Sequence, residues 1–572
     1  MGVGAAIFET AGKRTEHFVP GVYSRSNNIS SPSGVSAGNL VILGKSQGGK
    51  PQELLSFSNL SEARDVLIKG ELLDAIGYAF NGSANYIPQQ VFAMRVNEAS
   101  QASLVLKKGE NEVIKLTSWD YGNHCNSLKI WLQNGTKEGT KKLTIAYKTD
   151  VSEIDNIEKK SLSIVYAGAG STPTVSIANG KLSLVAKDGE SNDIDNFEYD
   201  LSSYIALSDL AMALNDTGVY VCSVLDAKDG KPKDLDAVSG VDITSNTEFY
   251  STFAEIVDVL EKSVYIDKVE ILSDNIMPDT SSVYQYFTGG KSGDYSLLQW
   301  ISALSLLETE DVQIIATPST DENVQSLIVS HCNNMSSTEN KKERTCILGG
   351  NIGQSDETSL EIARGFNSKY ASYVPDSAIV YNPVSGSKEE ISGAMLGCML
   401  AGIEAAMAIN EPLTNKTINV ISFGKKRTLS NLTELIKGGL LVCNPNPQNA
   451  RELVCIRGLT TFQGNDDLIS CERSMVREDI YMNRELRSKY TSIIGKPGVV
   501  SEADIVQTLI STAREWATNG YIIPKGSDNV WDIHTKIDGD KYFISFSRYL
   551  TAPINFMFIT ATNYVYNSTI QL

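Results

Sequence analysis

The spacing of hydrophobic and polar positions changes several times along the chain, and each spacing predicts a different element. The nearly continuous apolar run at 39–44 predicts a strand, and a second run at 90–96 predicts another. Between them, apolar residues recur at helical spacing over 62–68, with Ser61 as the predicted N-cap, and over 71–80. This succession predicts the beginning of an α/β body.

The same succession returns after Phe287. A glycine-rich turn leads into helical spacing up to Ile301, and a short apolar strand at 312–316 ends in a proline turn before a helix at 323–330. This order predicts a βαβ-type unit, with a helix packed on a mostly parallel sheet. The rest of the body is predicted to contain strands at 345–350 and 377–381 and helices at 359–366 and 391–409.

The segment between these two parts has a different texture, with short alternating runs such as 143–147 and 162–166. At 174–185 apolar residues alternate on both sides of Asn179-Gly180, which predicts a type I′ hairpin. The pattern therefore predicts a β-rich insertion that interrupts the body.

The two ends differ from the body. Residues 1–28 have no helix or strand spacing before His17, which predicts an extended arm. The region after 446 is predicted to hold a strand at 453–458, helices at 471–490 and 501–519, and strand-like runs at 542–546 and 554–559.

The predicted fold is an α/β multidomain chain: a central, mostly parallel body, an inserted β-rich domain, an α+β C-terminal domain and extended terminal arms. The predicted units are an arm at 1–28, a discontinuous core of 29–100 and 287–445, an insertion at 101–286, a C-terminal domain at 446–553 and an arm at 554–572.

Composition narrows the class of protein. With 42% hydrophobic and 21% charged residues, the 572-residue chain has the balance of a soluble globular protein. Its net charge of −18 and the lack of a Lys/Arg-rich run argue against nucleic-acid binding. The eight cysteines have no C-x-x-C spacing and no signal peptide is recognisable, so free thiols in a reducing cytoplasm are predicted.

One segment raises the question of a membrane span. The stretch at 391–409 is apolar and long enough, but it contains Glu404 and three glycines. A helix buried among neighbours explains small residues equally well. We therefore predict a buried helix and no membrane insertion.

Two fragments resemble phosphate-binding loops, Gly44-Lys45-Ser46 and Gly290-Lys291-Ser292. A P-loop also needs a glycine five residues before the second glycine of the motif, where this chain has Asn39 and Gln285. No nucleotide or other cofactor is therefore predicted.

Two further patterns are candidates for a catalytic nucleophile and for metal ligands. Gly34-Val-Ser-Ala-Gly38 matches a nucleophile elbow, but a Pro/Ser loop precedes it and a strand follows, where the elbow needs the order strand, then helix. His124-Cys125 and His331-Cys332 have no second ligand pair at metal spacing, and neighbours on a strand would point to opposite faces. We predict no catalytic or metal-binding residue.

Several separated motifs are familiar together. They are Pro20-Gly21-Val22-Tyr23, the strand at 40–44 with the turn Gly48-Gly49, the turn of Gly122 and Asn126 within 121–130, and the turn Gly289-Gly290 with Gly293. In this order they resemble the tail sheath proteins of contractile-tailed bacteriophages. Cys125 stands where many of those proteins have a glycine. The helix beginning at Glu71 is most similar to sheaths of large phages that infect Gram-positive bacteria.

The resemblance implies a mechanical protein that is not an enzyme. Sheath subunits form hexameric rings stacked around a tail tube between the baseplate and the tail terminator, and the sheath contracts to drive the tube through the host envelope. It implies a subtilisin-like body without a working triad, an insertion on the outside and a C-terminal domain facing the tube. It also implies a place in the virion tail after assembly in the host cytoplasm.

The resemblance further implies that the terminal arms add strands to sheets of neighbouring subunits. The residues expected to take part are Pro20, Gly21, Val22, Tyr23, Phe556, Phe558, Tyr564 and Tyr566. Two alternatives stay open at this point: the sheath of a related injection machine, such as a type VI secretion system or an R-type bacteriocin, and an α/β hydrolase supported only by the motif at 34–38.

Overall fold

The protein was studied as a computed structural model that describes residues 6–10, 13–17, 38–227, 230–273, 275–464, 467–495 and 501–563. The first part of the described chain contains β1 Ala6–Thr10, β2 Lys13–His17, β3 Leu40–Gly44, β4 Leu54–Phe57, α1 Leu60–Leu67, α2 Glu71–Phe80 and β5 Val91–Arg95.

The insertion contains mainly short strands. Its elements are β6 Ala99–Lys108, β7 Asn111–Tyr121, a 3-10 turn Asn123–Ser127, β8 Lys129–Asn134, β9 Lys141–Tyr147, β10 Asp150–Ile157, β11 Lys160–Tyr166, β12 Thr174–Ala178, β13 Lys181–Val185, β14 Phe197–Asp200, a 3-10 turn Leu201–Ser203, α3 Leu207–Asn215, β15 Tyr220–Val224, a 3-10 turn Pro232–Asp234, β16 Val238–Asp242, β17 Thr247–Tyr250, α4 Thr252–Glu261, β18 Ile266–Ile271, β19 Gln285–Tyr286 and β20 Lys291–Ser292.

Helices and strands alternate again in the remainder. The elements are α5 Leu297–Leu307, β21 Ile314–Ala316, α6 Glu322–Met335, β22 Thr345–Gly349, α7 Asp356–Phe366, β23 Ala371–Val374, β24 Ala378–Tyr381, β25 Lys388–Ile391, α8 Gly393–Ala406, β26 Ser422–Phe423, α9 Leu429–Lys437, β27 Val442–Pro445, β28 Leu453–Arg457, α10 Leu468–Cys471, α11 Arg473–Thr491, α12 Glu502–Thr518, β29 Ile522–Ile523, β30 Trp531–Asp538, β31 Lys541–Ser547 and β32 Tyr549–Leu550.

A six-stranded sheet forms the centre of the body, in the order β23-β22-β21-β3-β5-β4. Its first five strands run parallel and β4 is antiparallel at one edge. The mostly parallel sheet predicted from the sequence is therefore confirmed. The subtilisin-like relation and the domain boundaries stay predictions.

The strand predicted at 377–381 is present as β24, but it is not part of the central sheet. It lies in a separate antiparallel sheet with β25 and β26. The edge of the parallel sheet is formed instead by β23, which follows α7 closely and pairs with β22. Its four residues include Ser372, so the apolar pattern did not reveal it.

Helices cover both faces of the central sheet. Leu40 and Ile42 of β3 pack in one cluster with α1, α2 and α8, whereas Val41 and Leu43 pack in another with α5, α6, α7 and α9. A strand buried on both faces needs apolar residues at every position. This is why the run at 39–44 is continuous.

The candidate membrane segment is a buried helix, as predicted. In α8, a Cβ atom on Gly402 would lie 2.2 Å from the carbonyl oxygen of Ala79 in α2, so the small residue allows the two helices to touch. Within the described ranges, none of the helices has the length and apolar character needed to cross a bilayer.

The insertion contains two hydrophobic clusters. One joins β6 to β9 with α4, and the other joins β11 to β17 with α3. The predicted hairpin is confirmed: Val175 lies opposite Leu184, and Asn179 and Gly180 have φ angles of 51° and 73°, as a type I′ turn requires. The two helices of the insertion were not predicted.

Three predictions for short segments were wrong. The Asn59 side chain, not Ser61, caps α1, because its Oδ1 accepts from the Glu62 backbone N–H at 3.0 Å. The segment before His17 is not an arm without strands, since β1 and β2 form an antiparallel hairpin. The run at 554–559 forms no strand in the described chain.

Candidate functional site

Part of the expected inter-subunit set lies outside the described residues. These are Pro20, Gly21, Val22, Tyr23, Tyr564 and Tyr566. The other two, Phe556 and Phe558, lie in the segment at 551–563, which is called the C-terminal segment below.

The C-terminal segment is attached at its beginning and then exposes apolar side chains. The Asn555 side chain donates to the buried carboxylate of Glu472 at 2.8 Å, and the Arg457 guanidinium lies 5.7 Å from the centre of the Phe556 ring. Phe558 is 93% exposed, and the other large apolar side chains between Ile554 and Ile559 are exposed as well. No helix or strand is formed there in the described chain. Such a segment has apolar surface to bury and backbone groups free for a sheet edge.

The turns that suggested the family meet in space, although about 165 residues separate them in sequence. The Asn126 side chain donates to the Gly290 carbonyl oxygen at 2.8 Å, and its Oδ1 accepts from the Gly290 N–H at 2.9 Å. A Cβ atom on Gly290 would lie 2.5 Å from the Gly122 carbonyl oxygen. This two-way contact joins the chain that enters the insertion to the chain that leaves it.

The glycine turn of the body is part of the same contact. The backbone N–H of Gly49 donates to Asp120 at 2.9 Å. Gly122 has a φ of 137°, and a Cβ atom there would lie 2.2 Å from the carbonyl oxygen of Gln47. Only glycine adopts this conformation without strain and permits the close approach. We call the contact of the turns at 47–49, 120–126 and 289–293 the junction.

A buried arginine holds the centre of the junction. The side chain of Arg95, at the end of β5, is 0% exposed and donates to the carbonyl oxygens of Gly49 at 2.8 Å and Tyr121 at 2.9 Å. Burial lowers the pKa of Arg95 to about 10, although the Asp120 carboxylate opposes this shift. One guanidinium therefore satisfies backbone groups from the body and from the insertion.

Asn97 completes the junction on the side of the third turn. Its Oδ1 accepts from Arg95 Nε at 3.1 Å, and its side-chain amide donates to the carbonyl oxygens of Ser46 at 3.2 Å and Gly293 at 3.1 Å. Arg95, Asn97 and Asp120 were not predicted from the sequence as site residues. The signal that was available is an arginine at the end of an otherwise apolar strand.

The two Gly-Lys-Ser fragments also lie at the junction. Lys45 directly follows β3, and its ammonium group pairs with Asp294 at 2.6 Å and lies 4.2 Å from the centre of the Tyr295 ring. Lys291 and Ser292 form β20, which pairs with β6. Both fragments therefore connect segments of the chain, and neither has the geometry of a phosphate-binding loop.

The histidine pairs are structural contacts. His124 lies in a 3-10 turn and pairs with Asp120 at 3.0 Å. His331 lies in α6 beside Arg344. The expectation that these histidines and their neighbouring cysteines lie on strands was therefore wrong. Burial, followed by the neighbouring Arg344, lowers the pKa of His331 to about 4. In the part of the chain that the structure describes, no group of three or more His, Cys, Asp or Glu side chains is suited to a metal ion.

A second buried polar cluster connects the body to the C-terminal helices. Arg473 of α11 donates to both carboxylate oxygens of Glu404 in α8, each at 2.7 Å, and both side chains are 1% exposed. Burial alone would raise the pKa of Glu404, but Arg473 and Arg477 outweigh it and lower that pKa. The charged residue inside the apolar helix is thus one half of an ion pair.

Known structures support the fold. A sheath tail protein from Desulfitobacterium hafniense matches with a TM-score of 0.53 over 93% of this chain and 100% of that chain, at 12% identity. A sheath tail protein from Listeria innocua matches with a TM-score of 0.56 over 91% of this chain and 93% of its own, also at 12% identity. No family model matches the sequence.

Similarity in sequence adds to the likeness in fold. The tail sheath protein of Bacillus phage SP01 is 23% identical over 542 residues, which cover 91% of this chain and 90% of that protein. The tail sheath protein of Staphylococcus phage Twort is 21% identical, covering 78% and 80% of the two chains. The chain is thus similar in sequence to phage tail sheath proteins over most of its length.

These relatives confirm the resemblance to tail sheath proteins that the motifs suggested. A protein of Enterococcus phage phiEF24C that carries the tail sheath name provisionally is 25% identical over 83% of this chain and 84% of its own length. All three phages are named for Gram-positive bacteria. The match to the tail sheath family extends over nearly the whole chain, including the insertion.

Proposed function

We propose that the chain is the structural and mechanical subunit of a contractile phage tail sheath. It polymerises as stacked hexameric rings around the tail tube and contracts to drive the tube through the host envelope, delivering the genome. Its partners are further copies of itself, the tube protein, the baseplate and the tail terminator. It is assembled in the host cytoplasm, acts in the virion tail and has no enzymatic activity.

The observation that carries the proposal is the C-terminal segment of a chain related to tail sheath proteins. Ile554 is 86% exposed and Phe558 is 93% exposed, so this segment is unlike a packed end. An extended chain can pair with the free edge of a sheet in a neighbouring subunit. If each subunit gives a segment to the next, the interface does not close on itself and a helical assembly grows.

Strand addition also suits an assembly whose subunits must slide without separating. Each net backbone hydrogen bond contributes about 0.5–1.5 kcal/mol, so a few in each segment keep subunits linked. We propose that residues 1–28 act in the same way at the other end, with Pro20 to Tyr23 as the contact.

The direct test is truncation. The chain without residues 556–572 should remain folded and soluble but fail to form long tubes when examined by negative-stain electron microscopy. The full chain is the reference, and a chain with a Gly/Ser tail of the same length controls for length alone. Truncated protein that forms tubes as readily as the full chain would contradict the proposal.

The energy source can be tested separately. We propose that contraction draws on a difference in interface free energy between two lattices, where about 1.4 kcal/mol per subunit already gives a tenfold bias. Assembled particles should therefore contract in nucleotide-free buffer. Lys45→Ala and Lys291→Ala should not abolish contraction, and a need for ATP would contradict the stored-energy mechanism.

The alternatives predict other outcomes. A type VI secretion or R-type bacteriocin sheath would also form hollow tubes, but it would be isolated without a phage capsid. An α/β hydrolase would be a monodisperse monomer with esterase activity. The motif that supports a hydrolase lies mostly outside the described residues; at its end, a Cβ atom on Gly38 would lie 2.5 Å from the carbonyl oxygen of Ala405.

A further inference from the structure

Two cysteines lie opposite each other on paired strands near the boundary between the body and the C-terminal helices. Cys443 in β27 is the partner of Cys455 in β28 in an antiparallel pair. Both side chains are 0% exposed and both are free thiols.

The backbone hydrogen bonds show which kind of pair this is. The Cys455 N–H donates to the Lys416 carbonyl oxygen at 3.1 Å, and its own carbonyl oxygen accepts from the Asn415 N–H at 2.7 Å. The Cys443 N–H donates to the Asp376 carboxylate at 2.9 Å. The backbone groups of Cys455 are thus bonded on the side away from Cys443, as in a non-hydrogen-bonded antiparallel pair.

Non-hydrogen-bonded pairs bring side chains closest. Their Cα atoms are about 4.5 Å apart, which falls within the range of about 4.4–6.8 Å that a disulfide spans. The two thiols are therefore placed for a bond without movement of the strands. The register that places them also depends on the irregularity between Val442 and Cys443.

We propose that Cys443 and Cys455 are a latent redox site, which forms a cross-strand disulfide when the chain folds or opens in an oxidising environment. In the reaction, one cysteine thiolate attacks a disulfide oxidant such as oxidised glutathione and releases one glutathione thiolate. The second cysteine thiolate then displaces the other glutathione. In sum, two S–H bonds of the protein and the S–S bond of the oxidant break, and one S–S bond forms in the protein. The oxidant takes up the two electrons and the two protons and leaves as two glutathione thiols.

A disulfide between Cys443 and Cys455 would stabilise the boundary between the body and the C-terminal helices. β27 and β28 are joined by the loop at 446–452, which includes Pro447, and β28 leads towards α11. Asp376, which holds the Cys443 N–H, also forms a buried ion pair with Arg427. A disulfide would close this short loop, which restricts the unfolded chain more than the folded one and so stabilises the boundary. Burial keeps the thiols unreactive in the closed fold, so oxidation requires folding or opening.

The experiment compares the full chain produced in hosts with an oxidising and with a reducing cytoplasm. The soluble protein is unfolded in denaturant that contains an alkylating agent, so that every free thiol is blocked, including the buried ones. It is then digested without reduction, and the peptides are identified by mass spectrometry. We expect a linked peptide pair containing Cys443 and Cys455 only from the oxidising host. We also expect an upward shift of its thermal midpoint, which dithiothreitol reverses.

Three variants and one internal control define the outcome. Cys471→Ser removes the half-buried thiol and should leave the link unchanged, whereas Cys455→Ala, or Cys443→Ala if that variant does not fold, should remove both the link and the midpoint shift. Cys398, buried in α8, should be alkylated in both preparations. Folded protein from the oxidising host in which Cys443 and Cys455 are alkylated, or joined to other cysteines, would overturn the proposal.

Discussion

The junction and the C-terminal segment differ in whether their groups have partners within the same chain. At the junction, backbone carbonyl oxygens from distant turns meet one buried guanidinium, Arg95, within the same chain. In the C-terminal segment, apolar side chains such as Phe558 face solvent, without a strand partner in the described chain. The first is a contact completed within the subunit, and the second is surface that an assembly can complete.

This difference separates residues that stabilise the single chain from residues that serve assembly. Changes at the junction should lower the stability of the single chain, because buried donors and acceptors lose their partners. Changes in the C-terminal segment should leave the single chain stable and affect only assembly. Measuring stability and tube formation on the same variants therefore tests the comparison directly.

The largest effect on stability is expected for Arg95→Leu. The substitution leaves the carbonyl oxygens of Gly49 and Tyr121 buried without their donor and removes the positive charge near the Asp120 carboxylate, at a cost of about 3–5 kcal/mol. Urea unfolding followed by circular dichroism measures the loss. Arg64→Leu is the control, because its exposed guanidinium also binds two carbonyl oxygens and should cost about 1 kcal/mol or less. Equal losses would show that the junction is not a special contact.

Gly122→Ala should have the next largest effect. Its φ of 137° and the 2.2 Å approach to the Gln47 carbonyl oxygen predict a loss of roughly 2–3 kcal/mol. Gly109→Ala is the matched control, since that glycine also has a positive φ, of 58°, but its added Cβ atom would meet nothing within 4 Å. The control should cost roughly 1 kcal/mol in the same urea assay. A loss at Gly122 no larger than at Gly109 would mean that the turns can move apart freely.

Glu478 tests whether the polar cluster between the body and the C-terminal helices is as well satisfied as the junction. Its side chain is 0% exposed, and burial raises its pKa to about 8 despite the guanidinium groups of Arg477 and Arg548. The folded state therefore holds a proton that the unfolded state releases above its ordinary pKa. This contribution is fully present below about pH 4.5 and is lost as the pH rises towards 8.

Glu478→Gln should remove this pH dependence. The stability of the parent chain should fall between pH 5 and pH 8 by an amount on the order of 2 kcal/mol more than that of the variant. Urea midpoints measured across this range give the comparison. Glu361→Gln, at an exposed position of α7, should leave the slope of the parent unchanged. Parallel curves for the parent and Glu478→Gln would contradict the assignment.

The smallest effect on stability, combined with a large effect on assembly, is expected for Phe558→Ser. Because the ring is 93% exposed, the free energy of unfolding should change by about 0.5 kcal/mol or less. Long tubes should nevertheless become rare in negative-stain images and in sedimentation. Ile205→Ser, at a position of the insertion that is 87% exposed, should change neither property. A Phe558 variant that assembles normally would show that this side chain is not part of an interface.

The sequence predicted elements best where one local rule was sufficient. The helix at 71–80 has the predicted bounds, and the hairpin around Asn179-Gly180 has the predicted register, because helical spacing and a type I′ turn are local properties. The run at 39–44 was correctly predicted as a strand. The turns at 122–126 and 289–293 were recognised as familiar, without a reason for their glycines.

That reason appears only in three dimensions. Gly122 is required by the Gln47 carbonyl oxygen, Gly290 by the Gly122 carbonyl oxygen, and Arg95 by carbonyl oxygens from two different turns, and none of these partners is near in sequence. The placement of β24 outside the main sheet is also a matter of long-range pairing. Hydrophobic spacing reports which face of an element is buried, and turn residues report local φ and ψ. The sequence by itself therefore determined the kinds of element and their order, whereas pairing between distant segments, decided by the tertiary structure, placed the junction, the ion pair of Glu404 and the opposed cysteines.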